Sequence, residues 1–127
     1  MKIVALIARL LLGLLFVVAG ANILFHIFPD PPPLPGLAGQ FAGAMMLSHY
    51  MTIVGVFQLL GGLLLLANRY VPLGLTILGP IMVNIVVFHA LMEHKGLPIA
   101  IVVVILWGLV YLRHKQYFAG LFTQKAE

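Results

Sequence analysis

Six side chains combine chemistry-bearing groups with strongly apolar surroundings: Asn22, His26, Gln58, Asn84, His89 and Glu93. An amide or imidazole left unpaired in hydrocarbon costs several kcal/mol in the worst case, so such groups need partners. One source is each other, across helices. The other is the polar head of a small amphipathic ligand whose tail needs an apolar gap. A quinone suits these residues best, because its carbonyls need donors such as His89, Asn84 or Gln58. His89 and Glu93, four residues apart, share a helix face. His26, His89 and Glu93 also suggest a metal or haem site, but two histidines on different helices with one carboxylate make a thin ligand set. The residues therefore disfavour haem or metal.

These side chains sit in four apolar runs, at about 3–28, 50–67, 71–92 and 97–112. About 20 apolar residues cross a ~30 Å hydrocarbon core as a helix. With 63% hydrophobic and 8% charged residues in 127, the composition is that of a membrane protein. The connections are short, so 1–127 reads as a single four-span transmembrane domain. The predicted class is all-α, an integral membrane four-helix bundle. Short interfacial helices are expected after span one, at Leu37 to Leu47, and at the C-terminus. There Tyr117, Phe118, Leu121 and Phe122 recur at helical spacing between Lys115 and Lys125.

Six of the seven Lys and Arg residues fall at the N-terminus, between spans two and three, or after span four; only Lys95 lies on the other side. The positive-inside rule then places both termini in the cytoplasm of a bacterial-type inner membrane. Ala19-Gly20-Ala21 resembles a signal-peptide cleavage site, but the apolar run continues through Phe25, which favours a retained span. At ~1.5 Å rise per residue, Asn22, His26, His89 and Glu93 come out in the outward half, and Gln58 and Asn84 near mid-membrane. The expectation is an outward-facing polar cleft: Asn22, Gln58, Asn84 and His89 within it, His26, His49 and Glu93 at its rim. The segment His26-Ile-Phe-Pro-Asp-Pro-Pro-Pro-Leu-Pro-Gly36 would lie above it as a lid with little freedom to lose.

Each residue also has a plainer reading. Buried Asn and Gln often only bond across helices, at ~0.6 kcal/mol apiece. His49 and His94 read as interfacial, and Met45, Met46, Met51, Met82 and Met92 as bundle filling. Gly13 and Gly20, and again Gly55 and Gly62, recur every seven residues, which keeps small residues on one face where backbones can approach. Gly39 and Gly43 repeat the pattern on the short helix. Pro72 and Pro98 stand at helix starts, whereas Pro80 is mid-span, removes a donor from the Thr76 carbonyl and could open a path for a ligand's tail.

The chain has no cysteine, which excludes thiol–quinone electron transfer, disulfides and thiolate-bound metals. No phosphate-binding glycine loop follows a strand, so no nucleotide or nucleic-acid partner is expected. Four short helices without internal repetition leave little room for alternating access.

Four spans in 127 residues, Phe57-Gln-Leu-Leu-Gly-Gly-Leu-Leu-Leu-Leu66, Gly79-Pro-Ile-Met-Val-Asn-Ile85 and the proline-rich loop resemble the DoxX-like small membrane proteins from Ile3 to Leu112. That resemblance implies a four-helix inner-membrane protein. The family name comes from a subunit associated with an archaeal terminal quinol oxidase or thiosulfate–quinone system, so a subunit of a quinone-linked oxidoreductase is one implied role. Most members have no defined activity. Two classes of function remain: a binder of a small hydrophobic ligand, or a non-catalytic accessory or assembly subunit in a homo-oligomer or larger membrane complex.

Overall fold

The structure is a computed structural model and describes residues 2–126. Its helices are α1 (Lys2–Phe25), α2 (Gly36–Leu47), α3 (Tyr50–Ala67), α4 (Val71–Leu91) and α5 (Leu97–His114). Single 3-10 segments follow α4 (His94–Gly96) and α5 (Lys115–Phe122). No strand occurs among the described residues. Four helices are long and apolar enough to cross a membrane: α1, α3, α4, and α5 with its flanking 3-10 segments. The molecule is an all-α membrane bundle.

Helix boundaries follow local chemistry. Pro72 and Pro98 occupy first-turn positions of α4 and α5, where a missing N–H has no helical acceptor to disappoint. The tight α3–α4 turn places Asn68 and Tyr70 in the left-handed region, at φ 55° and 53°. Span one stops three residues sooner than hydropathy suggests. His26 adopts φ 49°, its N–H reaches the Asn22 carbonyl at 2.8 Å, and the Asn22 Oδ1 accepts from the Phe28 N–H at 2.8 Å. Pro29 then has no N–H to continue the ladder.

The spans run antiparallel to their neighbours, in a ring ordered α1, α3, α4, α5. Between α1 and α3 the two glycine pairs interlock. A Cβ on Gly20 would lie 2.7 Å from the Leu59 nitrogen and 2.8 Å from the Gly55 carbonyl oxygen. One on Gly62 would lie 2.8 Å from both the Gly13 oxygen and the Val17 nitrogen. The heptad spacing thus places bare backbone against bare backbone. On α2 the similar pair does something else: Gly39 tucks against the Leu34 carbonyl of its own approach segment, and Gly43 meets nothing within 4 Å.

Arg9, on α1, turns its guanidinium to the carbonyls of Leu65 and Leu66 at the end of α3. These oxygens belong to the last turn, which has no helical N–H to offer them all, and the negative end of the helix dipole favours a cation there.

The apolar core lies in the half of the bundle that carries the chain termini. Leu12, Leu65, Leu75, Leu78 and Val110 are fully enclosed there, with Ala8, Phe16 and Phe118 around them. Phe118, from the C-terminal 3-10 segment, rests on Tyr111, which stacks on Trp107 with ring centroids 5.4 Å apart. The Trp107 indole N–H donates to the Leu75 carbonyl at 3.0 Å. This pins α5 to α4 five residues before Pro80.

Candidate functional site

The opposite half, next to the proline-rich segment, is hollow. A cavity of ≈ 620 Å³ opens there, and all five helices contribute to its wall. Most of that wall is apolar: Phe16 and Ile23 from α1, Phe41 and Met45 from α2, Met51 and Val54 from α3, Ile81 and Phe88 from α4, Val103 from α5. Asn22, Gln58, Asn84 and His89 supply its amide and imidazole side chains, and the exposed Tyr50 adds a phenol. The short α2 covers one side, with Phe41 against Phe88 at 5.6 Å between ring centroids.

The three amides and the imidazole share the cavity but do not bond to one another. Gln58 is buried at 4% exposure, and its Oε1 has no hydrogen-bond partner. Asn84 donates from Nδ2 to the Pro80 carbonyl one turn back, at 2.8 Å, and is exposed on the open side of the cavity. Asn22 commits its Oδ1 to the Phe28 N–H. The His89 Nδ1 lies 3.0 Å from the Glu93 carbonyl oxygen and 3.2 Å from its Oε2.

Glu93 stands behind His89 rather than on the cavity wall. Its carboxylate oxygens accept from the N–H groups of Lys95 and Gly96, both at 3.0 Å, and so cap the 3-10 turn that leads into α5. Three contacts hold His89 in place. Glu93 takes one edge, Phe88 meets the ring edge-on at 5.1 Å, and the backbone of Gly96 lies so close that any Cβ there would strike the imidazole.

His26 falls outside the cavity. It sits in the left-handed turn after α1, exposed, with its Nδ1 3.6 Å from Asp30. His49, also left-handed at φ 63°, precedes α3, and His94 lies in the exposed 3-10 turn. The histidines therefore occupy separate settings, and among the described residues no three His, Asp or Glu side chains gather where a metal could be held. Pro80 lies apart as well. It borders a second groove of ≈ 430 Å³ with Trp107, Tyr111 and Phe118, not the polar cavity.

Sequence reasoning missed the apolar half of the site. Phe41 and Met45 reach the cavity because α2 folds back over the bundle, and a weakly patterned 12-residue helix does not announce which side it covers. The methionine cluster Met45, Met46 and Met51 was the available signal, since flexible thioethers suit an adaptable wall.

Comparison with known proteins agrees with this architecture. No curated protein and no solved structure matches the chain. The DoxX family model matches residues 4–91, from the first turn of α1 to the end of α4. That stretch contains the interlocked glycines and Asn22, Gln58, Asn84 and His89, and the chain belongs to the DoxX family.

Proposed function

We propose that this DoxX-family membrane protein binds a small amphipathic, quinone-like molecule in the cavity, as part of a redox system of a bacterial-type inner membrane. The carrying observation is the cavity itself: ≈ 620 Å³, walled mainly by apolar side chains, with a few polar groups at fixed places. That is the usual character of a small-molecule site. Donors from His89, Asn84 or Gln58 would hold the head, Asn22 would flank it, and the apolar wall would take the tail. His26 would lie on the approach, and Glu93 would act through His89. The excess of Lys and Arg on the terminus-bearing side supports cytoplasmic termini and a cavity facing outward.

One feature favours a second reading, a non-catalytic accessory or assembly subunit. A Cβ on Gly108 of α5 would meet nothing within 4 Å, leaving a bare stretch of helix that another chain could approach.

Quinone titration in nanodiscs separates the two. Replacing His89 by Ala should weaken binding by ~1–3 kcal/mol, the cost of losing a buried hydrogen-bonding partner. Replacing His94, which lies outside the cavity, should leave affinity unchanged. Equal quinone affinity for wild type and the His89 variant would remove this site and put the accessory role first.

A further inference from the structure

The second groove follows the seam between α4 and α5, away from the polar cavity. Its ≈ 430 Å³ run over Gly79 and Pro80 of α4 and Trp107 and Tyr111 of α5, with Leu121 and Phe122 of the C-terminal 3-10 segment beside them. Gly79 leaves the floor open, since a Cβ there would have only Trp107 near it, at 3.7 Å. The wall asks for no polar guest. The Thr76 hydroxyl donates to the Pro72 carbonyl at 2.8 Å and the Trp107 indole to the Leu75 carbonyl at 3.0 Å, so both donors are already paired. A hydrocarbon chain suits such a surface, and the depth suits one leaflet. Pro80 lies about 14 Å from Val71 at the start of α4, at ~1.5 Å rise per residue, close to half of a ~30 Å hydrocarbon core.

Polarity enters at one end. Tyr111 and Lys115 follow Trp107 at four-residue steps, and Lys115 keeps helical dihedrals as the C-cap of α5, so a phenol and then an exposed ammonium continue the same face toward the terminus-bearing side. Arg113 is exposed at that end too, as is Arg69 in the turn before α4. The described carboxylates are elsewhere: Asp30 and Glu93 sit beside His26 and His89 at the opposite end, and Glu127 lies outside the described residues. An apolar trough with cations at its interfacial mouth complements a lipid with an anionic head.

We propose that this groove binds an anionic phospholipid from the leaflet on the terminus-bearing side, with one acyl chain along Gly79, Pro80 and Trp107 and the phosphate at Lys115. The site is separate from the polar cavity and does not depend on what that cavity holds.

Trp107 is the chain's one tryptophan, so its fluorescence reports the groove directly. In phosphatidylcholine vesicles, added phosphatidylglycerol brominated at mid-chain should quench it at a mole fraction roughly fivefold lower than phosphatidylcholine brominated at the same carbons, the effect of one basic residue on an anionic lipid. Lys115→Gln combined with Arg113→Gln should bring the two curves together, whereas Lys115→Arg should keep them apart. Gly79→Leu, which fills the groove floor, should reduce quenching by both lipids. Should a variant fail to fold, the wild-type curves still decide. Coincident curves in the wild type would overturn the site and leave Trp107 facing ordinary bilayer lipid. Quenching by neither lipid would overturn it as well, because a second copy or another chain would then cover the groove. Neither outcome touches the cavity function, since none of the altered residues lines the cavity.

Discussion

Two of the three neighbours that orient His89 do not line the cavity. Glu93 holds Nδ1 from behind, and Gly96 gives the ring room that any other residue would take away. A Gly96→Ala change adds a single methyl group at a residue that does not line the cavity, yet should push the imidazole off its present position. We expect a loss of quinone affinity in the same direction as His89→Ala, accompanied by a change in the imidazole ¹⁵N shifts; unchanged shifts would show that the ring has space to spare. The sequence made part of this site legible. Residue type and distance along a span give depth, which is how Asn22, Gln58, Asn84 and His89 could be assigned to one region. Depth says nothing of azimuth, so the burial of Gln58 and the exposure of Asn84, on different helices at similar height, were not readable. Nor was the placement of His26. It depends on Asn22 using its side chain on the Phe28 N–H, a local choice that hydropathy does not register.

The α1–α3 seam shows what can be read at the level of helices. A seven-residue glycine repeat on two helices predicts close approach, and the structure puts Gly20 and Gly62 where a Cβ would meet backbone atoms that cannot step aside. Gly62→Ala should destabilise the bundle by about 1–3 kcal/mol through overpacking, measurable by reversible denaturation in mixed micelles. Gly43→Ala, where nothing lies within 4 Å, should be close to neutral by the same assay. Equal effects at the two sites would contradict the seam. Arg9 makes a different kind of link. Replacing it by Met keeps most of the apolar stem but removes the guanidinium from the carbonyls of Leu65 and Leu66. The expected cost is about 1.5–3 kcal/mol, as for hydrogen bonds to charged groups. Arg9→Lys should recover part of it. Its cationic type and position within a span were visible from sequence; its acceptors were not, because they depend on which helix end lies beside it. Both glycines and Arg9 stabilise by geometry between helices, the level at which a single chain's pattern is least informative.

At the scale of the molecule, the unequal distribution of Lys and Arg supports cytoplasmic termini. The absence of native cysteine makes the test simple, since a single introduced cysteine is the only thiol. An impermeant reagent applied to intact cells should modify a cysteine at Pro32 and leave one at Gln124 untouched; labelling of both would reject this topology. The two halves of the bundle are unlike: one is hollow and carries Gln58, Asn84 and His89 in its wall, the other is closed by Leu12, Leu65, Leu75, Leu78 and Val110, with no water-sized polar passage supplied by those side chains. The closed half acts as an electrical insulator, because an ion entering it would lose its hydration with nothing to replace it. With water filling the hollow half from its open side, most of a membrane voltage would fall across the closed half. A molecule in the cavity would exchange protons with one aqueous compartment alone and would barely sense the voltage, so its protonation would follow the acidity of a single side of the membrane.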